Sequence, residues 1–568
     1  MRFVIASVLL ALSAISVILG FAIRGPYEAA NNHRVDFKLD SAYSYAVIPS
    51  AVLKKFPGEV SVSATGTKEI FYADARERDI QDWIGTSNFV RLNVDRKEQP
   101  DVTVITAGGE NANPEGSDMW RTAIKVKNQL QTQVNMAEDT AVLLASDGYA
   151  HAPDTVSIFW QVNNLINWPL LLIYGGSGLL VLGLILNFWA FRHIRKLRGP
   201  RRRIPKAPRG PKYKTRVRPD VPTRGRRRAN SKIALVPAVL SLTLLAGCTS
   251  PQAQGEESGL VKATQVVVTD SQLQRIVREV AATVKSADTN RDQGKLISRV
   301  SGPALDLRKV QYFLQTKSKK IPKLPEIIAS PVSIALPMQL PDAELGWQPR
   351  TIMVVTKSNS TVTPPQMLVL HQESPRENYK LRYLIDLLPT AEFPTVAAQE
   401  IGAISVAADN EYLITKLTSI PFKYGDTLNK GGASKYYPEF NLISDKFYAA
   451  VSETQAKQRE SLKKAKVAIR FQHTLGDPNI LGMLTLDSGG LIAVAMDDTS
   501  IIRPQVRGSA VSVTQLDHKI LLNAPGSATG IKIVYRNMML FYVPVAGSVD
   551  KMTLLGASQG ILSVKALN

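Results

Sequence analysis

Three apolar stretches separated by one strongly basic segment constrain this chain more than any other feature. Phe3 to Ala22 follows Met1-Arg2 and precedes Arg24. Leu170 to Phe191 comes second, with Trp160, Trp168 and Trp189 near its ends. Ile233 to Leu245 comes third. The first two reach the ~20 residues a helix needs to cross hydrocarbon, and the third falls short. Tryptophans favour the membrane–water interface, which fits the second stretch. Between the second and third, Lys and Arg crowd positions 192–232, where Asp220 is the only acid. The net charge of +21 is therefore mostly local to that segment. Basic loops stay on the cytoplasmic side. The expected topology is N-terminus in, first folded region out, basic loop in, and everything after the third stretch out.

Prolines at 200, 205, 208, 211, 219 and 222 forbid a long helix in the basic segment. Its simplest role is to enforce topology. A sharper one is contact with anionic lipid headgroups through Arg201, Arg202, Arg203, Arg226, Arg227 and Arg228, each worth about 1 kcal/mol near the surface. Nucleic-acid binding is the third reading. It lacks the interleaved aromatics that stack on bases, since Tyr213 stands alone, and no nucleic-acid partner is expected.

The third stretch ends in Leu245, Ala246, Gly247 and Cys248. This Leu-Ala-Gly-Cys resembles the bacterial lipobox, which implies a lipid on Cys248 and a cut just before it. The charges before the run act as the n-region of an export signal. A buried core helix is the alternative, and it leaves both the flanking charges and the cysteine unexplained. Cys248 is the only cysteine, so no intrachain disulfide is possible. Exported parts must be held by their own cores, which a chain of 568 residues with 45% hydrophobic content can build.

The expected divisions are an anchor at 1–24, a β-rich extracytoplasmic domain at 25–165 and a transmembrane helix at 166–191. The basic cytoplasmic loop follows at 192–232, the lipoprotein-signal-like segment at 233–248 and a small, polar tether at 249–265. Two further domains occupy 266–404 and 405–568. In the first domain, Glu59 to Ala64 and Asp101 to Thr106 alternate as strands do, and Trp83 and Trp120 read as core residues. Past the tether, Leu273, Ile276, Val277, Val280, Ala281 and Val284 share a helical face, and Thr269 and Gln272 have capping-box spacing. Strands follow near 351–356, 366–371 and 380–385. The order then repeats. Helical signals are expected at 411–417 and 438–462, followed by strands at 466–471, 482–486 and 491–495. Later strands are expected at 531–535 and 538–543, with Arg536-Asn537 as the turn between them.

Helices followed by an antiparallel meander is an α+β order. Occurring twice, it resembles two tandem NTF2-like cones, a likeness of fold alone. Ala145-Ser-Asp-Gly148, the basic loop, Leu-Ala-Gly-Cys248, His371-Gln-Glu-Ser-Pro-Arg-Glu-Asn-Tyr379 and Leu540-Phe-Tyr-Val-Pro544 together resemble a family of actinobacterial membrane proteins of unknown function. The resemblance implies location and architecture, and no site beyond Cys248.

Catalytic constellations do not emerge. There is no Asp-x-Asp pair, no His-Glu-x-x-His and no nucleophile elbow. Asp288-Thr-Asn290-Arg-Asp292 opens like a calcium loop, but Gln293 stands where Gly is needed and Arg299 where the bidentate Glu belongs. No metal and no cofactor is expected. Glu373, Arg376 and Glu377 read as a solvated turn. The expectation is a non-catalytic, membrane-anchored envelope protein, its exported domains binding or scaffolding an envelope partner or small ligand. The alternative is an extracytoplasmic enzyme acting on envelope glycans or lipids, of a glycosyltransferase-like kind.

Overall fold

The computed structural model describes residues 2–30, 32–39, 42–161, 168–197, 265–360, 363–389 and 391–568. The fold is mixed α+β, with two helices long and apolar enough to cross a membrane. Cys248 with Leu245, Ala246 and Gly247, the basic loop beyond Leu197 with its six arginines, and the tether up to residue 264 lie outside the described residues, whereas 192–197, expected to begin that loop, continue a helix.

Helix α1 (Arg2–Ala30) opens the chain. Strands β1 (Asn32–Lys38) and β2 (Tyr45–Ile48), helix α2 (Ser50–Leu53), strand β3 (Glu59–Arg76) and helix α3 (Glu77–Ile84) follow. Then come β4 (Phe89–Val94), β5 (Pro100–Ile105), β6 (Thr122–Gln133), β7 (Thr140–Ala145) and β8 (Thr155–Gln161). They form an eight-stranded sheet in the order β1-β8-β3-β7-β2-β4-β5, with β6 on β3. Every pairing is antiparallel except β2 with β4. Both faces are buried. Ala46, Ile48, Val62 and Trp160 join one cluster, and Tyr45, Val47, Trp83 and Trp120 another on the opposite face. The period-two alternation of strands puts neighbours such as Tyr45 and Ala46 on opposite sides.

Helix α4 (Trp168–Leu197) carries the second apolar stretch and forms one compact unit with α1. The Ser16 hydroxyl donates to the Leu172 carbonyl at 2.9 Å. A side chain at Gly176 would meet Val17 at 2.8 Å, and one at Gly183 would meet Leu10 at 3.0 Å. These glycines let the two helices approach, as small residues do at helix contacts in membranes.

The second unit joins 26–165 to 263–568. Its later part begins with α5 (Asp270–Asn290), α6 (Gln293–Ile297) and α7 (Gly302–Lys317). Thr269 and Gln272 close the capping box, and Leu273, Ile276, Val277, Val280 and Val284 are buried. The calcium-like run is the last turn of α5 and the two-residue link to α6. Asp288 there accepts from Arg308 and, at 2.5 Å, from the Tyr312 hydroxyl. Strands β9 (Val332–Pro337), β10 (Arg350–Thr356), β11 (Gln366–Gln372) and β12 (Lys380–Asp386) form an antiparallel meander.

The second repeat has α8 (Ile420–Lys430) and α9 (Lys446–Lys464), then β13 (Val467–Leu475), β14 (Leu481–Leu484) and β15 (Gly490–Pro504). After β16 (Val511–Ser512), α10 (Leu516–Leu522) and β17 (Gly526–Ser527) come β18 (Ile531–Val543) and β19 (Thr553–Ala566). The main sheet runs β13-β15-β18-β19, with β14 on β15. The two repeats share a core: Leu370 and Tyr383 of the first belong to one cluster with Leu491, Ala493 and Leu540 of the second.

Two sequence expectations change here. Residues 411–416 are not helical, Leu413 bridges to Val545 instead, and Leu417 only opens a short 3-10 turn. The helix lies further on, at α8, where Pro421 sits in the first turn and its missing N–H costs nothing. Arg536 and Asn537 are no turn but the middle of β18, and both are buried. Arg536 pairs with Asp497 at 2.8 Å and with Asp306 at 2.5 Å, and Asn537 accepts from Gln559 at 2.9 Å.

Candidate functional site

The early β-rich module docks on the later repeats through a junction built from arginines. Asp118, 1% exposed, accepts two hydrogen bonds from Arg299 and one from the Tyr379 amide at 2.8 Å. Asp79 accepts from Arg76 at 2.9 Å and from Arg350 at 2.6 Å. Burial pushes the Asp79 carboxyl up, but the Arg350 and Arg76 guanidiniums win and hold it below the usual carboxylate range. Arg76 also reaches the carbonyls of Val266 and Val267. Arg275 donates to the Trp120 carbonyl at 2.7 Å, and Gln272 to the Met119 carbonyl at 3.1 Å.

Arg376 corrects the reading of its loop as a solvated turn. It donates to the carbonyls of Trp83 and Ile84, at 2.9 and 2.8 Å, and to the Ser87 hydroxyl at 2.7 Å. Its guanidinium also lies 5.4 Å from the Trp83 ring centre. A planar cation over indole satisfies both its charge and its donors. Asn378 adds a reciprocal clamp, donating to the Gly116 carbonyl and accepting from the Asp118 amide, both at 2.9 Å. Glu373 and Glu377 are exposed and pair locally, with His371 at 3.1 Å and Lys380 at 3.0 Å.

Among the described residues, two concave sites lie in the later repeats, away from the junction. The larger, about 680 Å³, is a groove between α5, the end of α7 and the strap 318–329. The smaller, about 420 Å³, lies over the second sheet between α9 and α10. Ile469, Ile502, Ile531 and Ile533 floor it, and His518 and Tyr535 mark its polar end.

Behind Tyr535 runs a row of titratable groups that strand register brings together. His473, Asp498 and Tyr535 are direct cross-strand partners on β13, β15 and β18. The His518 Nε2 lies 2.7 Å from the Tyr535 hydroxyl. Burial pushes Asp498 up to about 6 and Tyr535 up to about 12. Burial, with help from the Arg459 charge, pushes His473 down to about 4. His473 is therefore neutral at physiological pH, and its 3.4 Å approach to Asp498 is not an ion pair. His473 Nε2 and Asp498 Oδ1 are buried without a hydrogen-bond partner. Gly425 of α8 faces this histidine so closely that a side chain there would meet its Cβ at 2.2 Å. No group of three or more His, Cys, Asp or Glu side chains that could hold a metal occurs among the described residues.

Residues 264–566 match the profile of a domain of unknown function, DUF8094. The chain belongs to that family. No curated protein and no solved structure matches it. The DUF8094 region covers both helix-and-sheet repeats and their common core, and it stops short of the β-rich module. The groove and the cleft both lie within DUF8094, whereas the junction joins DUF8094 to the module outside it.

Proposed function

We propose that this chain is a membrane-anchored envelope protein whose soluble modules form one extracytoplasmic body that binds or scaffolds a partner or small ligand. One observation carries the reading. Residues on either side of α4, 26–165 and 263–568, pack as a single compact unit. Groups that share buried ion pairs must fold in the same compartment. An even number of crossings therefore separates them, and α4 supplies one. The apolar run 233–245 supplies the return, which leaves the basic loop cytoplasmic, its arginines at 201–203 and 226–228 near anionic headgroups. Cys248 then emerges on the far side as a lipid anchor. The helix-then-meander order of the two repeats supports tandem NTF2-like cones, a fold that suits ligand pockets.

Protease shaving of intact cells tests this. The DUF8094 region should be digested from outside and the basic loop protected. Protection of the DUF8094 region would overturn the reading. Intact-mass analysis of the membrane fraction, with and without Cys248→Ala, should show a lipid that depends on the cysteine.

The second reading, an enzyme acting on envelope glycans or lipids, is favoured by the row at the end of the smaller cleft. A histidine bonded to a buried tyrosine is the kind of pair that moves protons in general acid–base chemistry. Turnover of an envelope glycan or lipid fraction by the full chain, lost in His518→Gln, would establish it.

A further inference from the structure

We infer that the 680 Å³ groove in the first repeat of DUF8094 takes an anionic, single-chain amphiphile: a phosphate-bearing lipid whose acyl chain lies along the floor. The inference rests on the binding reading above and names the ligand class. The floor is apolar, with Ala281, Val284, Leu324 and Ile327. Ala281 and Ala282 are small where the helix face passes under the groove, and they leave the space that larger side chains would fill. The rim is cationic. Arg278, Arg291, Lys319 and Lys323 line it. None of these four has an ion-pair partner among the described residues, whereas the two acids of the lining are already engaged. Asp288 is taken by Arg308 and Tyr312, and Glu326 pairs with Lys285 at 3.2 Å. The uncompensated charge at the rim is positive.

The groove is preformed. The strap 318–329 is tied at three places. Gln311 and Gln315 of α7 both donate to the Pro322 carbonyl, at 2.8 and 2.9 Å. Lys285 of α5 holds Glu326, and Gln366 of β11 bonds the Ile328 amide at 3.0 Å and the Glu326 carbonyl at 3.2 Å. A site already open has no ordering cost on binding. Its volume lies in the range of small-molecule sites. An apolar floor with unpaired cations at one rim matches a molecule with an apolar tail and an anionic head. A free anion would leave the floor wet, and a neutral lipid would leave the cations unmatched.

The test uses the full chain in discs of phosphatidylcholine. A lysophosphatidylglycerol with a 14-carbon chain is titrated below its micelle threshold and binding is read by calorimetry. Saturable binding is expected, with lysophosphatidylcholine at least roughly tenfold weaker and glycerol phosphate silent. Lys319→Glu with Lys323→Glu should weaken binding by roughly tenfold or more, as should Ala282→Phe, which fills the floor from an exposed position. Unchanged circular dichroism and melting temperature would certify that both variants fold. No saturable binding, equal binding of the neutral lipid, indifference to both variants, or preference for an acidic amphipathic peptide would each overturn the inference. The titration is done in purified protein and does not depend on cellular location, so its failure and that of the shaving experiment are separable.

Discussion

The junction and the histidine row are both buried and both polar, but their groups are treated in opposite ways. At the junction, Asp79 and Asp118 each face two cationic or amide donors, and the arginines spend their remaining donors on backbone carbonyls, the Glu279 carboxylate and the Met119 sulfur. In the second repeat, His473 and Asp498 touch without a hydrogen bond, and both are pushed toward their neutral forms. Buried charge persists where several partners surround it, and where they are missing the group gives up its charge instead. The first arrangement welds two modules. The second stores titratable groups beside an open cleft.

Removing one partner of the weld should have the largest effect. Asp118→Ala leaves the buried Arg299 with only the half-exposed Glu279 as counter-charge and the Tyr379 amide without its acceptor, and should cost about 3–4 kcal/mol in chemical denaturation. A cost below about 1 kcal/mol would mean that the junction is wet and weak. The next test cuts the chain. With a protease site inserted between residues 249 and 262, the two fragments of the purified protein should co-elute on a sizing column after cleavage. Separation in ordinary salt would show that the polypeptide link, not the arginine lattice, holds the modules together. Co-elution would also mean that the proposed cut before Cys248, if made, yields a two-chain complex.

The smallest effect concerns the row, and its sign follows from proton counting. Asp498 is raised in the fold, so its contribution is present at low pH and is lost as pH rises through about 6. His473 is lowered, so it works in the opposite sense, costing stability as pH falls from its ordinary value of 6.5 toward about 4. Between about 4 and 6 the pair holds one proton in either state, on Asp498 when folded and on the histidine when unfolded, and stability should be flat. Asp498→Asn should therefore stabilise by roughly 2–3 kcal/mol at pH 8 and by about half as much at pH 5, where the unfolded carboxyl is already ionised, the effect fading below about pH 4. Equal effects at both pH values would show that Asp498 is charged throughout.

The sequence revealed what depends on near neighbours. The capping box at Thr269 and the buried face of α5 follow from spacing within one helix. Contacts across long separations stayed hidden. Arg376 sits in a charged loop between two strands, and its partners lie in α3 and the turn after it, almost 300 positions earlier. Arg536-Asn537 looks like a polar break between two apolar runs, but Asp497, Asp306 and Gln559 supply partners that let β18 pass straight through. The histidine row was invisible for a related reason. It exists only because strand register aligns residues 473, 498 and 535, and register is not written in the spacing.

The indoles of Trp83 and Trp120 occupy the face of the early module that Arg376, Arg275 and Trp347 cover. Those covers are made much later in synthesis than the module itself. At about 5–20 residues per second, the ribosome leaves that greasy face bare for on the order of tens of seconds while the intervening chain is made. Synthesis of this protein therefore passes through a waiting half-product, with a defined apolar patch left to shield until the rest arrives.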